Sequence, residues 1–203
     1  MLEFLFSQYK NYPTYEIALE VTAIIFGLFS VWYAKKDNIW VFPTGIISTA
    51  IYVYLLWKWR LLGDMMINFY YFVMSIYGWY CWTRKENDTV VFPIAVMIKQ
   101  EKRTAFYIFV ATEIFVIVVY RFFNYPITWI STIDIFVTGL FFVGMWLMAK
   151  RKIENWYLWI SINVICIWLY FAKQVYFLSL EYVIFLGLAS YGLYNWKRQL
   201  KHA

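Results

Sequence analysis

Residues 128–149 read TWISTIDIFVTGLFFVGMWLMA, a stretch with one charged residue, Asp134, that runs directly into Lys150-Arg151-Lys152. The hydrocarbon core of a bilayer is about 30 Å thick and takes roughly 20 predominantly apolar residues as a helix. A helix satisfies every backbone N–H and C=O within its own segment, as lipid demands. A basic cluster at the end of such a segment marks the cytoplasmic face. The stretch therefore reads as a transmembrane helix whose C-terminal end lies inside.

Six further blocks of the same kind surround it, at 16–34, 39–57, 64–82, 104–121, 156–172 and 180–196. The expected fold class is an all-α integral membrane protein with seven transmembrane helices. Composition agrees: of 203 residues 64% are apolar, 25% aromatic and only 15% charged, against about a quarter charged in soluble domains. A water-soluble fold is excluded. The net charge of +6 does not point to nucleic acid, because the basic residues sit in short clusters between apolar blocks. Tryptophans such as Trp40, Trp57, Trp82, Trp129 and Trp196 stand near block ends, where amphipathic rings settle at the headgroup level. Thirteen of the 18 Lys and Arg residues fall after spans one, three, five and seven, which predicts the N-terminus outside and the C-terminus cytoplasmic. Cys81 and Cys166 lie inside apolar blocks, so no disulfide framework is expected. Met1 to Pro13 lacks the basic start and short apolar core of a cleavable signal peptide.

The chain also repeats itself. Tyr77-Gly78 and Trp82 recur 114 positions later as Tyr191-Gly192 and Trp196, and at the same offset Glu20 meets Asp134 and Trp32 meets Trp146. The second block is expected to be shifted, pairing Asn38 with Asn155 and Tyr52 with Tyr170. The predicted organisation is a first three-helix repeat (16–82), a connector and linker helix (83–127, with span four at 104–121) and a second three-helix repeat (128–196). Spans one and five start an even number of crossings apart, so the repeats share one orientation. Parallel repeats of this kind place a substrate site between them near the midplane.

Several runs are similar to the PnuC family of nicotinamide riboside and related vitamin transporters. They are Asn38-Ile-Trp40-Val-Phe-Pro43-Thr44-Gly45, the third block closing Ser75-Ile-Tyr-Gly78-Trp79-Tyr80-Cys-Trp82, the trio Asp134, Thr138 and Trp146, and Trp156-Tyr-Leu-Trp159-Ile-Ser-Ile-Asn163 reaching to Tyr170. The resemblance covers nearly all of the chain from span one to Trp196. It implies a three-plus-one-plus-three fold related to SWEET-type sugar transporters, a bacterial inner-membrane location and facilitated diffusion, with the vitamin trapped by a cytosolic kinase. It also implies a homotrimer. Many family members carry Gln where this chain has Asn68, which leaves the particular vitamin open between nicotinamide riboside and thiamine.

The candidate substrate-binding residues are Trp40, Thr44, Asn68, Tyr71, Asp134, Thr138, Trp159, Asn163 and Tyr182. Trp156, Trp159, Asn163 and Tyr170 fall on one helical face. A midplane amide facing lipid would leave its polar atoms unpaired at a cost of a few kcal/mol, so Asn163 belongs in the interior, bonding either another helix or a solute. Asp134 and Thr138 are one turn apart on span five. Carboxylates within a membrane are functional by default, although Asp134 and Glu20 stand near the outer face, where snorkelling or pairing with loop cations serves equally well. Trp40, Thr44 and Ser48 share a face of span two; Asn68, Tyr71 and Ser75 share one of span three. Glu113, central in span four, is expected to be protonated or hydrogen-bonded. Pro43 and Gly45 are expected to loosen span two as a hinge.

No Cys, His, Asp or Glu cluster has metal-ligand spacing and the single histidine, His202, is in the tail, so neither a membrane-embedded enzyme nor a metal or cofactor is expected. The short loops leave no room for a receptor or scaffold domain. The expected partners are a small vitamin and the lipid bilayer, with no nucleic acid.

Overall fold

Apolar blocks bounded by turn residues fold as helices of bilayer length. The computed structural model describes residues 13–60, 62–86, 89–172 and 176–202. The reading of Met1 to Tyr12 lies outside the described residues. Seven helices follow in order: α1 Thr14–Ala34, α2 Val41–Lys58, α3 Leu62–Thr83, α4 Lys99–Phe122, α5 Trp129–Ala149, α6 Glu154–Ala172 and α7 Tyr176–His202. Between α3 and α4 lies a two-residue hairpin, β1 Lys85–Glu86 with β2 Thr89–Val90. The fold is all-helical otherwise, and the seven helices coincide with the seven expected blocks.

Three ends differ from expectation by four residues or more, among them the start of α7, at Tyr176 rather than 180. α4 begins five residues early, because the Glu101 carboxylate turns back to accept from the Ile98 backbone N–H (3.0 Å) and also takes Lys152 (3.0 Å). α7 continues six residues past Trp196 as a basic tail. Five helices (α1, α2, α4, α5 and α6) are long and apolar enough to cross a membrane among the described residues. α3 and α7 are diluted in hydropathy by Tyr, Trp and polar residues, yet at 22 and 27 residues both have the length to span.

In each triplet the middle helix packs on both of its neighbours: α2 on α1 and α3, α6 on α5 and α7. Between triplets, α3 meets α5 and α1 meets α7. Exchanging the triplets turns each of these cross-contacts into the other. The agreement extends to atoms at a constant offset of 114. The Trp82 indole N–H donates to the Met148 carbonyl and that of Trp196 to the Ala34 carbonyl, both at 3.3 Å. Gly78 lies under the Phe42 ring as Gly192 lies under Trp156. Asp37 and Arg151 both adopt left-handed backbone, φ 54° and 53°.

The expected shift of the second block is not there. Phe42 N–H donates to Ile39 and Trp156 N–H to Ile153, so the turns before α2 and α6 have equal length and Asn155 stands opposite Val41 rather than Asn38. The hinge at Pro43 also needs correction. α2 starts at Val41, which puts Pro43 in the first turn, where a missing N–H costs no intrahelical bond.

The connector 91–98 docks on the turn between α5 and α6. Ala95 N–H donates to Arg151 O (3.2 Å), Ile153 N–H to Ala95 O (3.0 Å), and Met97 N–H to the Glu154 carboxylate (2.9 Å). At the opposite end of the molecule Glu16, buried at 3% exposure, ties α1 to α2. It takes the Lys58 ammonium (2.7 Å) and the Trp59 indole N–H (2.7 Å). Glu16→Leu removes the acceptor of both and is expected to destabilise the protein by about 1–3 kcal/mol, read as a lower thermal midpoint in detergent. Glu16→Gln, which keeps an acceptor for Trp59, should lose less.

Candidate functional site

Two cavities open between the helices among the described residues. The narrow one, about 260 Å³, lies between the two triplets and is lined by pairs at the 114 offset: Gly27 with Phe141, Gly45 with Trp159, Thr49 with Asn163, and Tyr71 with Phe185. The pairing is lopsided in places: Gly27, Gly45 and Thr49 have Phe141, Trp159 and Asn163 as their mates, whereas Phe42 and Tyr71 are matched by the rings of Trp156 and Phe185.

The walls differ in chemistry as well. Ser30 donates its hydroxyl proton to Val41 O (2.8 Å), Ser48 to Ala23 O (2.8 Å) and Thr49 to Gly45 O (2.7 Å). Each hydroxyl is thereby spent as a donor and keeps lone pairs to accept. Trp159 also lines the cavity; its Nε1 is buried without a hydrogen-bond partner, on the ring edge that packs near Gly144. Asn163, 4% exposed, stands one turn further along at the middle of α6. A buried donor without an acceptor is costly unless something supplies one. The narrow cavity holds no Lys, Arg, Asp or Glu among its described lining residues.

The wide cavity, about 740 Å³, reaches the turn before α3 at Arg60 and the turn before α5 at Tyr125 and Pro126. Asp64, Asp134 and Thr138 line it. Thr138 donates its hydroxyl proton to Asp134 O (2.8 Å). Tyr71, Phe141 and Tyr182 line both cavities and so stand at their shared boundary. Rings pack there: Tyr170 stacks on Tyr182 (centroids 5.3 Å) and Phe141 packs on Trp159 (5.8 Å).

Of the expected site residues, the structure brings Trp159, Asn163, Tyr71 and Tyr182 to the narrow cavity and Tyr71, Asp134, Thr138 and Tyr182 to the wide one. Three do not join them. Trp40 precedes the first turn of α2 and is 58% exposed. Thr44 is buried, its hydroxyl bonded back to Trp40 O (2.7 Å). Asn68 folds its amide onto Asp64 O one turn earlier (3.0 Å), while Asp64, Ile67, Tyr71 and Ser75 make the row that faces the cavities. Glu113 lies against the bare backbone of Gly139, outside both linings. Thr49 and Phe141 were missed from sequence. The unshifted offset finds Thr49, because it stands 114 positions before Asn163.

A buried amide and an indole lining a cavity at mid-helix depth, in a bundle of membrane-length helices, fit a carrier for a small solute. The chain belongs to the nicotinamide mononucleotide transporter family, whose sequence profile matches residues 17–198. It is a multi-pass membrane transporter. Among relatives, the nicotinamide riboside transporter PnuC of Escherichia coli (strain K12) is 23% identical, covering 88% of this chain and 84% of that one. The protein of the same name from Neisseria mucosa is 26% identical, covering 90% and 73%. The riboflavin/roseoflavin transporter RibM of Streptomyces davaonensis is 23% identical, covering 85% and 81%. The crystal structure of the vitamin B3 transporter PnuC superimposes with a TM-score of 0.66 at 23% identity, covering 98% of this chain and 86% of that one. The two share a fold.

Proposed function

We propose that this protein mediates facilitated uptake of nicotinamide riboside across the bacterial inner membrane for NAD synthesis, with its N-terminus outside and its C-terminus in the cytoplasm. The observation that carries the reading is the narrow cavity lined by Trp159 and Asn163, one turn apart on α6, together with hydroxyls already spent as donors. Nicotinamide riboside joins a flat cationic ring bearing an amide to a ribose. The ring suits an aromatic face, worth about 0.5–2 kcal/mol when desolvated. Its amide suits Asn163, and its ribose hydroxyls have protons to give to acceptors such as Thr49.

The residues 16–82 and 128–196 form two like-oriented repeats that rock about this cavity, with 83–127 as connector and linker. The contacts recurring at an offset of 114 support that arrangement. No chemistry on the solute is part of the proposal. A homotrimer, implied by the family resemblance, would be read from its mass in detergent.

The cavity also favours riboside over mononucleotide. A phosphate brings close to two negative charges at neutral pH, and a buried charge without a counter-charge is strongly disfavoured. The narrow cavity's described lining has no cation to offer. Proteoliposomes containing the protein are therefore expected to take up nicotinamide riboside saturably, without nucleotide or ion gradient, and to exclude nicotinamide mononucleotide by about a hundredfold or more. Equal transport of both, or of neither, would overturn the assignment. Thiamine is the alternative: a flat cation with a hydroxyl, it would meet the same walls. Its uptake in place of the riboside would decide for it.

A further inference from the structure

The narrow cavity shares Tyr71, Phe141 and Tyr182 with the wide one, and elsewhere its lining includes Ala34 and Met148. The carbonyls of these same two residues accept the indole protons of Trp196 and Trp82. Each of these hydrogen bonds crosses from the end of one triplet's third helix to the end of the other triplet's first. Each carbonyl also accepts a backbone N–H from its own turn, Ala34 O from Asp37 and Met148 O from Arg151, both at 3.0 Å, so the indole is a second donor, supplied by the other triplet.

The two rings meet beneath the cavity, centroids 5.9 Å apart. Phe42 packs edge-on to Trp82 (4.9 Å, 90°) and Trp156 edge-on to Trp196 (5.5 Å, 86°). All four are at most 6% exposed. Below them Arg151 lies over the Trp82 ring (4.2 Å) and pairs with Asp37 (3.2 Å), so residues of the two left-handed turns meet across the triplet boundary. Burial raises the Asp37 carboxyl above its ordinary range even beside Arg151, and lowers the Arg151 guanidinium.

We propose that Trp82 and Trp196 are the gate on this side: a pair of crossed bolts that must separate for the cavity to open towards the turns at Asp37 and Arg151. The inference rests on the transport reading, for which it names the moving contact. It also assigns the state of the molecule, closed at the bolts and open through the wide cavity. Trp→Phe at either position deletes the indole donor while keeping an aromatic ring, and so removes a hydrogen bond between the triplets that only the closed state makes.

The test uses a thiol placed in the cavity by Ser75→Cys, with Cys81 and Cys166 replaced by alanine, in membrane vesicles of known sidedness. A membrane-impermeant maleimide applied from the side of the Asp37 and Arg151 turns is expected to label this parent slowly. Trp82→Phe and Trp196→Phe should each speed that labelling by about tenfold or more. Trp79→Phe, at a position 43% exposed on the outside of α3, should leave it unchanged. If one bolt variant fails to insert, the other reads the same contact. Parent-like labelling in the bolt variants, or equal acceleration by Trp79→Phe, overturns the gate. Labelling is read without any solute, so a chain that carries no riboside would sink the transport reading and leave these rates to decide the gate.

Discussion

Asn163→Leu lowers nicotinamide riboside uptake by about a hundredfold or more while leaving the protein inserted and monodisperse. The size follows from what the substitution does to the bound solute. A leucine keeps the volume of the side chain but offers no partner to a polar substrate group inside a cavity with no described charged residue in its lining. Each buried polar group left unpaired costs about 1–3 kcal/mol, and 1.4 kcal/mol is tenfold in affinity. Two such groups suffice. Trp159→Ala acts through the neighbouring wall: it deletes the buried Nε1 donor, the ring face offered to a cation and the packing against Phe141. Uptake by Trp159→Ala is expected to be lost as fully as by Asn163→Leu. Normal uptake by both variants, measured at equal amounts in the membrane, would show that the solute passes elsewhere.

Gly78→Ala and Gly192→Ala have the largest expected effects on folding. A Cβ at 192 would stand 2.5 Å from the Trp156 ring, and one at 78 would overlap the Phe42 ring. Neither ring has space to retreat: Trp156 is 2% exposed and Phe42 1%, and both are wedged against the buried indoles of Trp196 and Trp82. Overpacking of this kind costs about 1–3 kcal/mol, at times more. Both variants should show lower thermal midpoints and lower yield in the membrane. Gly187→Ala, whose added methyl meets nothing within 4 Å, serves as the control and should match the parent or exceed it, since alanine is the better helix former. Parent-like midpoints for both Gly78→Ala and Gly192→Ala would mean that α3 and α7 do not approach their neighbours as closely as described.

Much of the architecture was legible in the sequence because lipid leaves a chain few options. Seven long apolar blocks, with at most two charged residues each, gave seven helices. Two of the ends that moved, at Lys99 and beyond Trp196, are amphipathic or basic segments where hydropathy carries no signal. The matching contacts at Tyr77-Gly78 and Trp82 were legible because packing sets a glycine beneath a ring and an indole at a helix end at both places. The offset was misread across α2 and α6, where positions 114 apart differ in size: Gly45 and Trp159, Thr49 and Asn163. Aligning identical residues there favours a false shift, because few positions keep the same residue.

The site was legible where a residue's burial followed from its chemistry. Asn163 is such a case, since an amide at the middle of a lipid-spanning helix must turn inward. Sharing a helical face was a weaker guide. It placed Tyr71 and Ser75 correctly on the cavity side of α3 yet grouped them with Asn68, which bonds its own helix. It grouped Ser48 with Trp40, which stands outside the bundle. Periodicity tells which residues point together, and only tertiary packing tells what they point at.

The central claim is that a flat, uncharged-wall cavity between the triplets holds a cationic riboside at Trp159 and Asn163. Calorimetric titration of the purified protein with nicotinamide riboside tests it most directly. The account predicts saturable binding to one site per chain in the parent and none detectable at the same concentrations in Asn163→Leu. Undiminished binding to Asn163→Leu, or no binding to the parent, would contradict it.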